Sequence, residues 1–318
     1  MFRTSLILLG CCFLISSVHA GDKVENPVAV QGKPYENSHF LVVDSVLLHY
    51  RTWNDTLLHP KGKIVLIHGF TGSTFCWRKN VESLTREGYL VVAVDLPSFG
   101  YSERNPDLNQ SNSNRALLVW KLLSKIDQDD PAHWDIAGHS MGGGIAEAMA
   151  IIYPGRTRSL TIVDGMVFRK SSNLTYTAAV AGNNRLINRL MVKMAENNIL
   201  TYNTMRRLLK SAYGRPPDSS EVLGYLQPLL ADGTAKAMFG VWTHAKEVVK
   251  MDSDSLQNTP VLIVWGSRDK WIGKGTGRRF HKSLPLSNME LIPGGGHIPM
   301  ETHPAAFDRI FARFLNTR

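Results

Sequence analysis

Trp134-Asp135-Ile136-Ala137-Gly138-His139-Ser140-Met141-Gly142-Gly143 is the stretch on which the fold turns. Trp134 to Ala137 reads as a strand, and Met141 to Tyr153 reads as a helix that Pro154 stops. Between them, Gly138-His139-Ser140-Met141-Gly142 fits the pattern G-x-S-x-G. A strand that turns sharply into a helix strains the backbone of the middle residue, and only small neighbours fit. Gly138, Gly142 and Gly143 supply that room. The strain pushes the Ser140 hydroxyl out above the sheet edge. The helix that starts there adds partial positive charge and free N–H groups. The plain alternative is a glycine-rich structural turn with a chance serine, and the strand–turn–helix setting argues against it.

Outward from this turn the chain alternates. Residues 38–53 read as two short strands. Ile64-Val65-Leu66-Ile67 and Leu90-Val91-Val92-Ala93-Val94 are continuous apolar runs, as expected of strands covered on both faces. Helices are expected over Phe75–Glu87 and Asn114–Ile126, and Leu160–Val163 is the next strand. From about 165 to 255 the pattern is helical with no clear strand, which is too long for a loop and reads as an insertion. Strands return at Val261–Trp265 and Met289–Ile292, and Ala305–Leu315 closes the chain as a helix. The expected class is α/β: a mostly parallel eight-stranded sheet with helices on both faces and a helical insertion.

A serine hydroxyl needs a base. Of the eleven histidines, His297 in Gly294-Gly295-Gly296-His297, after the last strand, is the best placed. His139 should point its side chain away from the site, and His303 starts the final helix. Two carboxylates compete to orient the base. Asp269 follows Val261–Trp265 in Gly266-Ser267-Arg268-Asp269, and Asp164 follows Leu160–Val163 directly. Asp95, in Asp95-Leu96-Pro97-Ser98-Phe99-Gly100, reads as a structural turn residue. Two main-chain donors are candidates for holding an oxyanion: the N–H of Met141 and the N–H of Phe70 in His68-Gly69-Phe70.

Together these segments resemble the α/β-hydrolase family in its capped, single-domain form, from about residue 38 to the end. His68-Gly69-Phe70, Asp95-Leu96-Pro97-Ser98-Phe99-Gly100-Tyr101-Ser102, Gly138 to Gly143, Gly266 to Asp269 and Gly296-His297 occur in the family's order. Ser98 departs from it, since glycine is common there. The resemblance implies a Ser140, Asp269, His297 triad, in the chain order that the fold uses. It also implies an acyl-enzyme course and a cap formed by residues 165–255 over a core of 21–164 and 256–318. It leaves the substrate open. The family includes esterases, lipases, amidases, carbon–carbon bond hydrolases and cofactor-free perhydrolases. Its dehalogenases and epoxide hydrolases usually carry aspartate where this chain has Ser140. An ester hydrolase, esterase- or lipase-like, is the expected function. Acyl transfer, amide or carbon–carbon cleavage, and a binding protein without turnover are the rivals.

The cap segment holds twelve Lys/Arg against seven Asp/Glu. A basic cap suits an anionic substrate or contact with an anionic membrane surface, and it also simply keeps helices soluble. Phe168, Tyr176, Phe239 and Trp242 are candidates for an acyl pocket, or for internal packing. Phe70, Thr71 and Phe75 lie near the oxyanion loop and are candidates for substrate contact.

The chain has 318 residues, 43% hydrophobic and 20% charged, with a formal net charge of +9. That charge is spread out, and no nucleic-acid motif, dinucleotide fingerprint or zinc spacing is present. Gly273-Lys274-Gly275-Thr276-Gly277 lacks the residues of a phosphate loop. No cofactor or metal is expected. Residues 1–20 have the anatomy of a secretory signal peptide: Arg3, an apolar run from Leu6 to Ile15, and a Val18-His19-Ala20 step. An uncleaved anchor and lipidation at Cys11 are the variants of that reading. Cleavage after Ala20 leaves Cys76 as the one remaining cysteine, so no internal disulfide can form.

Overall fold

A computed structural model describes residues 33–127, 133–167, 200–250 and 252–318. Eight strands form one sheet: β1 (Ser38–Val43), β2 (Val46–Trp53), β3 (Gly62–Ile67), β4 (Tyr89–Val94), β5 (Trp134–His139), β6 (Thr157–Val163), β7 (Val261–Gly266) and β8 (Ser287–Ile292). Their order across the sheet is β1-β2-β4-β3-β5-β6-β7-β8. Only β2 runs against its neighbours; every pairing from β4 to β8 is parallel. All six residues of β5 and of β7 are buried, as befits central strands covered on both sides. The β1 strand, at an edge, alternates buried ends with exposed or half-buried positions.

Helices cover both faces. α1 (Val81–Arg86), α2 (Asn112–Ile126) and α3 (Met141–Ile152) belong to the first half of the sheet. α3 lies against β3, β5 and β6 and packs on α2, where the Trp120 indole N–H donates to the Met149 carbonyl at 3.0 Å. Every residue of α3 except Ile152 is buried, so this helix is core as well as support for the site. The later helices are α4 (Tyr202–Tyr213), α5 (Ser219–Leu229), α6 (Thr234–Thr243), α7 (Gly275–Ser283), α8 (Pro299–Thr302) and α9 (Pro304–Thr317). α9 buries Phe307, Phe311, Phe314 and Leu315 on one face, against β7, β8 and α1.

Within the expected insertion, residues 200–250 carry α4, α5 and α6 and no strand. Gly214 ends α4 at φ 72°, a conformation glycine adopts without strain, and an Asp218/Glu221 capping box starts α5. The single helix expected over Phe75–Glu87 is two pieces, a 3₁₀ turn at Thr74–Trp77 and then α1. The break sits at Asn80. Its buried side chain donates to the Met300 carbonyl and to Asp308, at 3.0 and 2.8 Å, which pins the chain there. Among the described residues no helix is long and apolar enough to cross a membrane. The segment 1–20, Cys11, Phe168, Tyr176 and the first part of the insertion lie outside the described residues.

The strand order reverses direction between β3 and β5: the chain leaves β3 for β4 on one side and returns to β5 on the other. In open parallel sheets ligand sites form at such a point, beyond the carboxyl ends of the strands. The segments after β3, β5, β6, β7 and β8 carry His68 to Gly72, Ser140, Asp164, Asp269 and His297 respectively.

Candidate active site

Ser140 stands between β5 and α3 at φ 53°, ψ −120°. A non-glycine residue in that region costs on the order of 1–3 kcal/mol and persists only where its surroundings fix it. Here its N–H donates to the Val163 carbonyl at 3.0 Å, and its carbonyl accepts from Gly143 and Met166, both at 2.9 Å. The His68-Gly69 loop presses directly on this turn. A Cβ on Gly142 would lie 2.4 Å from the His68 carbonyl oxygen, and one on Gly69 would lie 3.0 Å from the Ser140 Cβ. Glycine at both places is therefore what lets the loop after β3 reach the serine.

His297 Nε2 lies 2.9 Å from Ser140 Oγ, and its Nδ1 lies 2.9 Å from Asp269 Oδ2. The arrangement that serves every atom has Ser140 O–H donating to Nε2 and the Nδ1–H donating to Asp269. Asp269 Oδ1 accepts from the N–H groups of Trp271 and Ile272, at 2.7 and 3.1 Å. Burial raises the Asp269 pKa, but its bond with His297 and the charge interaction there outweigh burial and hold it below the ordinary carboxylate value. Of the two competing carboxylates, it is Asp269 that meets the imidazole. Asp164 lies behind it, fully buried at φ 44°, and accepts from Gly266 N–H at 2.9 Å. Among the described residues Asp164, Asp269 and His297 form one group whose ligand atoms lie within 4.8 Å of one another. Both ring nitrogens of His297 are already engaged, so the group is a hydrogen-bonded relay as it stands.

Met141 opens α3, and first-turn N–H groups have no acceptor inside their own helix. Phe70 lies on the loop pressed against Ser140, with its ring edge-on to Phe99 at 5.4 Å. Met141 follows Ser140 directly, and Phe70 follows Gly69, whose added Cβ would lie 3.0 Å from the Ser140 Cβ. Thr71 follows at φ 61° in the same loop. His68 holds the loop shape: its Nδ1–H donates to the Gly69 carbonyl at 2.7 Å, and its Nε2 accepts from Leu96 N–H at 3.0 Å. Burial pushes the His68 pKa down, so the ring is neutral and can serve both bonds. Behind Met141, Arg115 is buried with a guanidinium nitrogen 3.4 Å from the Met141 sulfur. Burial lowers its pKa to about 9, which leaves it charged at neutral pH.

Three placements go beyond, or against, the sequence reading. His139, expected to point away from the site, belongs to its frame, with its ring 5.1 Å from that of His297. Its Nε2–H donates to the His297 carbonyl at 2.8 Å, and burial, followed by the His297 charge, pushes its pKa down to about 3. Phe75 packs edge-on to Tyr225 of α5 at 5.9 Å and under the Arg78 guanidinium at 3.9 Å. The end of α4 touches the histidine loop directly. The Ala212 carbonyl accepts from His297 N–H at 2.6 Å, and Ser211 accepts from the indole of Trp271, which stacks on the His297 ring at 5.0 Å. Buried Glu301 fastens the same helices to the core, accepting from Arg78 at 2.5 Å, from Tyr213 of α4 at 2.7 Å, and from Tyr225 of α5. No apolar periodicity announces these contacts, because they join residues far apart in the chain. Trp242 sits on α6, and its side chain, like Phe168, lies outside the described residues.

Comparison with known proteins agrees with this architecture. An uncharacterized hydrolase of Bacillus subtilis, YugF, is 26% identical over 276 residues, covering 86% of this chain and 96% of its own. A 2-hydroxy-6-oxononadienedioate/2-hydroxy-6-oxononatrienedioate hydrolase of Cupriavidus pinatubonensis is 27% identical over 259 residues, covering 79% and 86%. Among solved structures, a putative lipase from Acinetobacter baumannii superposes with a TM-score of 0.67 at 24% identity, covering 88% of this chain and 90% of its own. A bacterial membrane phospholipase A does so at 0.66 and 22%, covering 88% and 85%. The model of the alpha/beta hydrolase fold matches residues 63–304, from β3 to the start of α9, and the chain belongs to that family.

Proposed function

We propose that the protein is a serine hydrolase that cleaves carboxylic esters, esterase- or lipase-like, through an acyl-enzyme on Ser140. The observation that carries the reading is the unbroken Ser140 Oγ–His297–Asp269 relay, at 2.9 Å per step, on a strained turn at the start of a helix. Ser140 Oγ attacks the carbonyl carbon while His297 Nε2 takes its proton. The oxyanion that forms is held by the N–H groups of Phe70 and Met141, with the Arg115 charge behind it. His297, its Nδ1–H fixed by Asp269, then protonates the leaving group as the carbon–oxygen bond breaks. Water activated by the same nitrogen releases the acid. No cofactor takes part in this course. The likeness to a carbon–carbon bond hydrolase supports a second reading, in which the same serine attacks a ketone carbonyl.

Phe70, Thr71, Phe168 and Trp242 are proposed to meet the substrate. The basic segment 165–255 supports a small-molecule or lipid ester with access to an anionic membrane surface. The apolar run ahead of Ala20 supports export, with Cys11 open to lipidation. The test is fluorophosphonate labelling of the purified chain against Ser140→Ala, alongside p-nitrophenyl esters of graded length. Labelling and turnover that both vanish in the variant are the expected result. Labelling without ester turnover redirects the search to another carbonyl substrate. A folded wild type that takes no label overturns the mechanism and favours a binding role.

A further inference from the structure

Two carboxyl groups meet behind His297, and the mechanism above uses only one of them. Asp164 ends β6, and Asp269 follows the neighbouring strand β7. Asp164 is fully buried, its backbone held at φ 44° with its N–H on the Val264 carbonyl at 3.0 Å. Its two carboxyl oxygens share the Gly266 N–H, at 2.9 and 3.2 Å. A carboxyl oxygen of Asp164 lies within 4.8 Å of one of Asp269. Asp269 has its own charge fixed by three N–H donors, from His297, Trp271 and Ile272. Two adjacent buried carboxylates cannot both be ionised without a large cost, so one of them holds a proton. Asp269 has the donors that favour charge, and Asp164 has a single backbone N–H.

We propose that Asp164 is a positioning residue of this site: as a neutral carboxylic acid it donates a hydrogen bond to the Asp269 carboxylate and so holds that carboxylate square to His297. The inference rests on the proposed serine-hydrolase reading for its kinetic consequence and on geometry alone for its protonation. Burial, and then the Asp269 charge, also push the Asp164 pKa well above the ordinary carboxylate range. The groups facing it are Asp269 and, across that carboxylate, His297. The neutral acid accepts with one oxygen, from Gly266, and donates with the other, to Asp269. An asparagine side chain makes the same pair of bonds, and asparagine tolerates a positive φ.

The test uses the full chain and two variants. Asp164→Asn keeps the donor; Asp164→Gly removes it while fitting the backbone without strain. Infrared difference spectra at neutral pH, wild type minus Asp164→Asn, should show the carbonyl stretch of a protonated carboxylic acid that shifts in D₂O. That readout needs no turnover, so it stands or falls apart from the hydrolase reading. Ester turnover and fluorophosphonate labelling by Asp164→Asn should stay within about threefold of wild type, with the acid limb of the pH profile unmoved. In Asp164→Gly kcat should fall about tenfold or more at unchanged KM, the usual scale for losing a bond to a charged group. Absence of the protonated-acid band, or an acid limb displaced in Asp164→Asn, shows Asp164 ionised and overturns the proposal. So does an Asp164→Gly variant as active as wild type. A wild type that takes no label defeats the hydrolase reading, while the infrared band still decides the protonation.

Discussion

Ser38, His49 and Asp95, joining β1, β2 and the end of β4, form the same chain of hydrogen bonds as Ser140, His297 and Asp269. His49 Nε2 is 2.8 Å from Ser38 Oγ and its Nδ1 is 2.7 Å from Asp95 Oδ2. The distances in the second array, 2.9 and 2.9 Å, are no better. What differs is everything around the serine. Ser38 lies in an ordinary strand, 0% exposed, its oxygen already accepting from Tyr35 N–H at 3.1 Å. Ser140 is 9% exposed, sits at positive φ on a helix N-terminus, and has the Gly69 loop pressed against it. The acids differ as well. Asp95 accepts from Thr74 and Tyr101 N–H, tying the loops after β3 and β4 to β2, whereas Asp269 serves its own turn and the base. A serine–histidine–aspartate relay is thus a way to satisfy buried polar groups. It becomes a catalyst only where an electrophile can reach the serine and its oxyanion can be held.

Substitutions matched across the two arrays should separate them. Ser140→Ala should lower kcat by about a million-fold and abolish labelling with little change in melting temperature. Ser38→Ala should keep the label and lose about 1 kcal/mol of stability. Equal loss of activity in a folded Ser38→Ala would break the distinction. At the acids the contrast should persist. Asp269→Asn leaves a folded protein with kcat down on the order of 10⁴-fold, because the base is left in the wrong tautomer. Asp95→Asn, which disturbs a buried pair and two loop anchors, should cost about 3 kcal/mol in denaturant unfolding. An Asp95→Asn chain as stable as wild type would show that the buried array does not hold these loops together.

The two arrays were not equally legible. Ser140 is announced by G-x-S-x-G between a strand and a helix, and His297 by a glycine turn after the last strand; both marks are local. Asp164 and Asp269 each follow a strand end, and only the adjacency of β6 and β7 shows that they meet. Asp95 was readable as a turn residue, but its partners were not. His49 reaches Asp95 through the antiparallel pairing of β2 with β4, and Ser38 through that of β1 with β2. The central strands β3, β4 and β7 were readable because their apolar runs are nearly continuous. The break at Asn80 was not, since what holds it is α8 and α9, more than two hundred residues further on. The contact of Ala212 with His297 is hidden for the same reason.

Acid should reach the two arrays at different pH, and this is the smallest effect and the finest test. Beside the Ser140 array, burial holds His139 neutral, with its pKa pushed down to about 3. The unfolded chain takes up that proton near pH 6.5, so folding excludes a proton between roughly 6.5 and 3. Its share of stability is full above that window and falls as pH drops through it, at up to about 1.4 kcal/mol per pH unit. Asp95 behaves otherwise. Burial raises its pKa, but the bond from His49 outweighs this and leaves the pKa lowered, so its share is lost only below the ordinary carboxylate range near pH 4. His68 is also lowered by burial and adds its own pH dependence, so the comparison has to be made between variants. His139→Gln keeps a donor for the His297 carbonyl and has no proton to exclude. Its stability should vary less steeply than wild type between pH 6.5 and 4.5, and the two slopes should converge below pH 3. Parallel slopes throughout would mean that His139 is charged in the folded protein. A protonated imidazole beside the base would then oppose protonation of His297, and the His139→Gln variant should lose activity at a higher pH than wild type does on the acid limb of the profile.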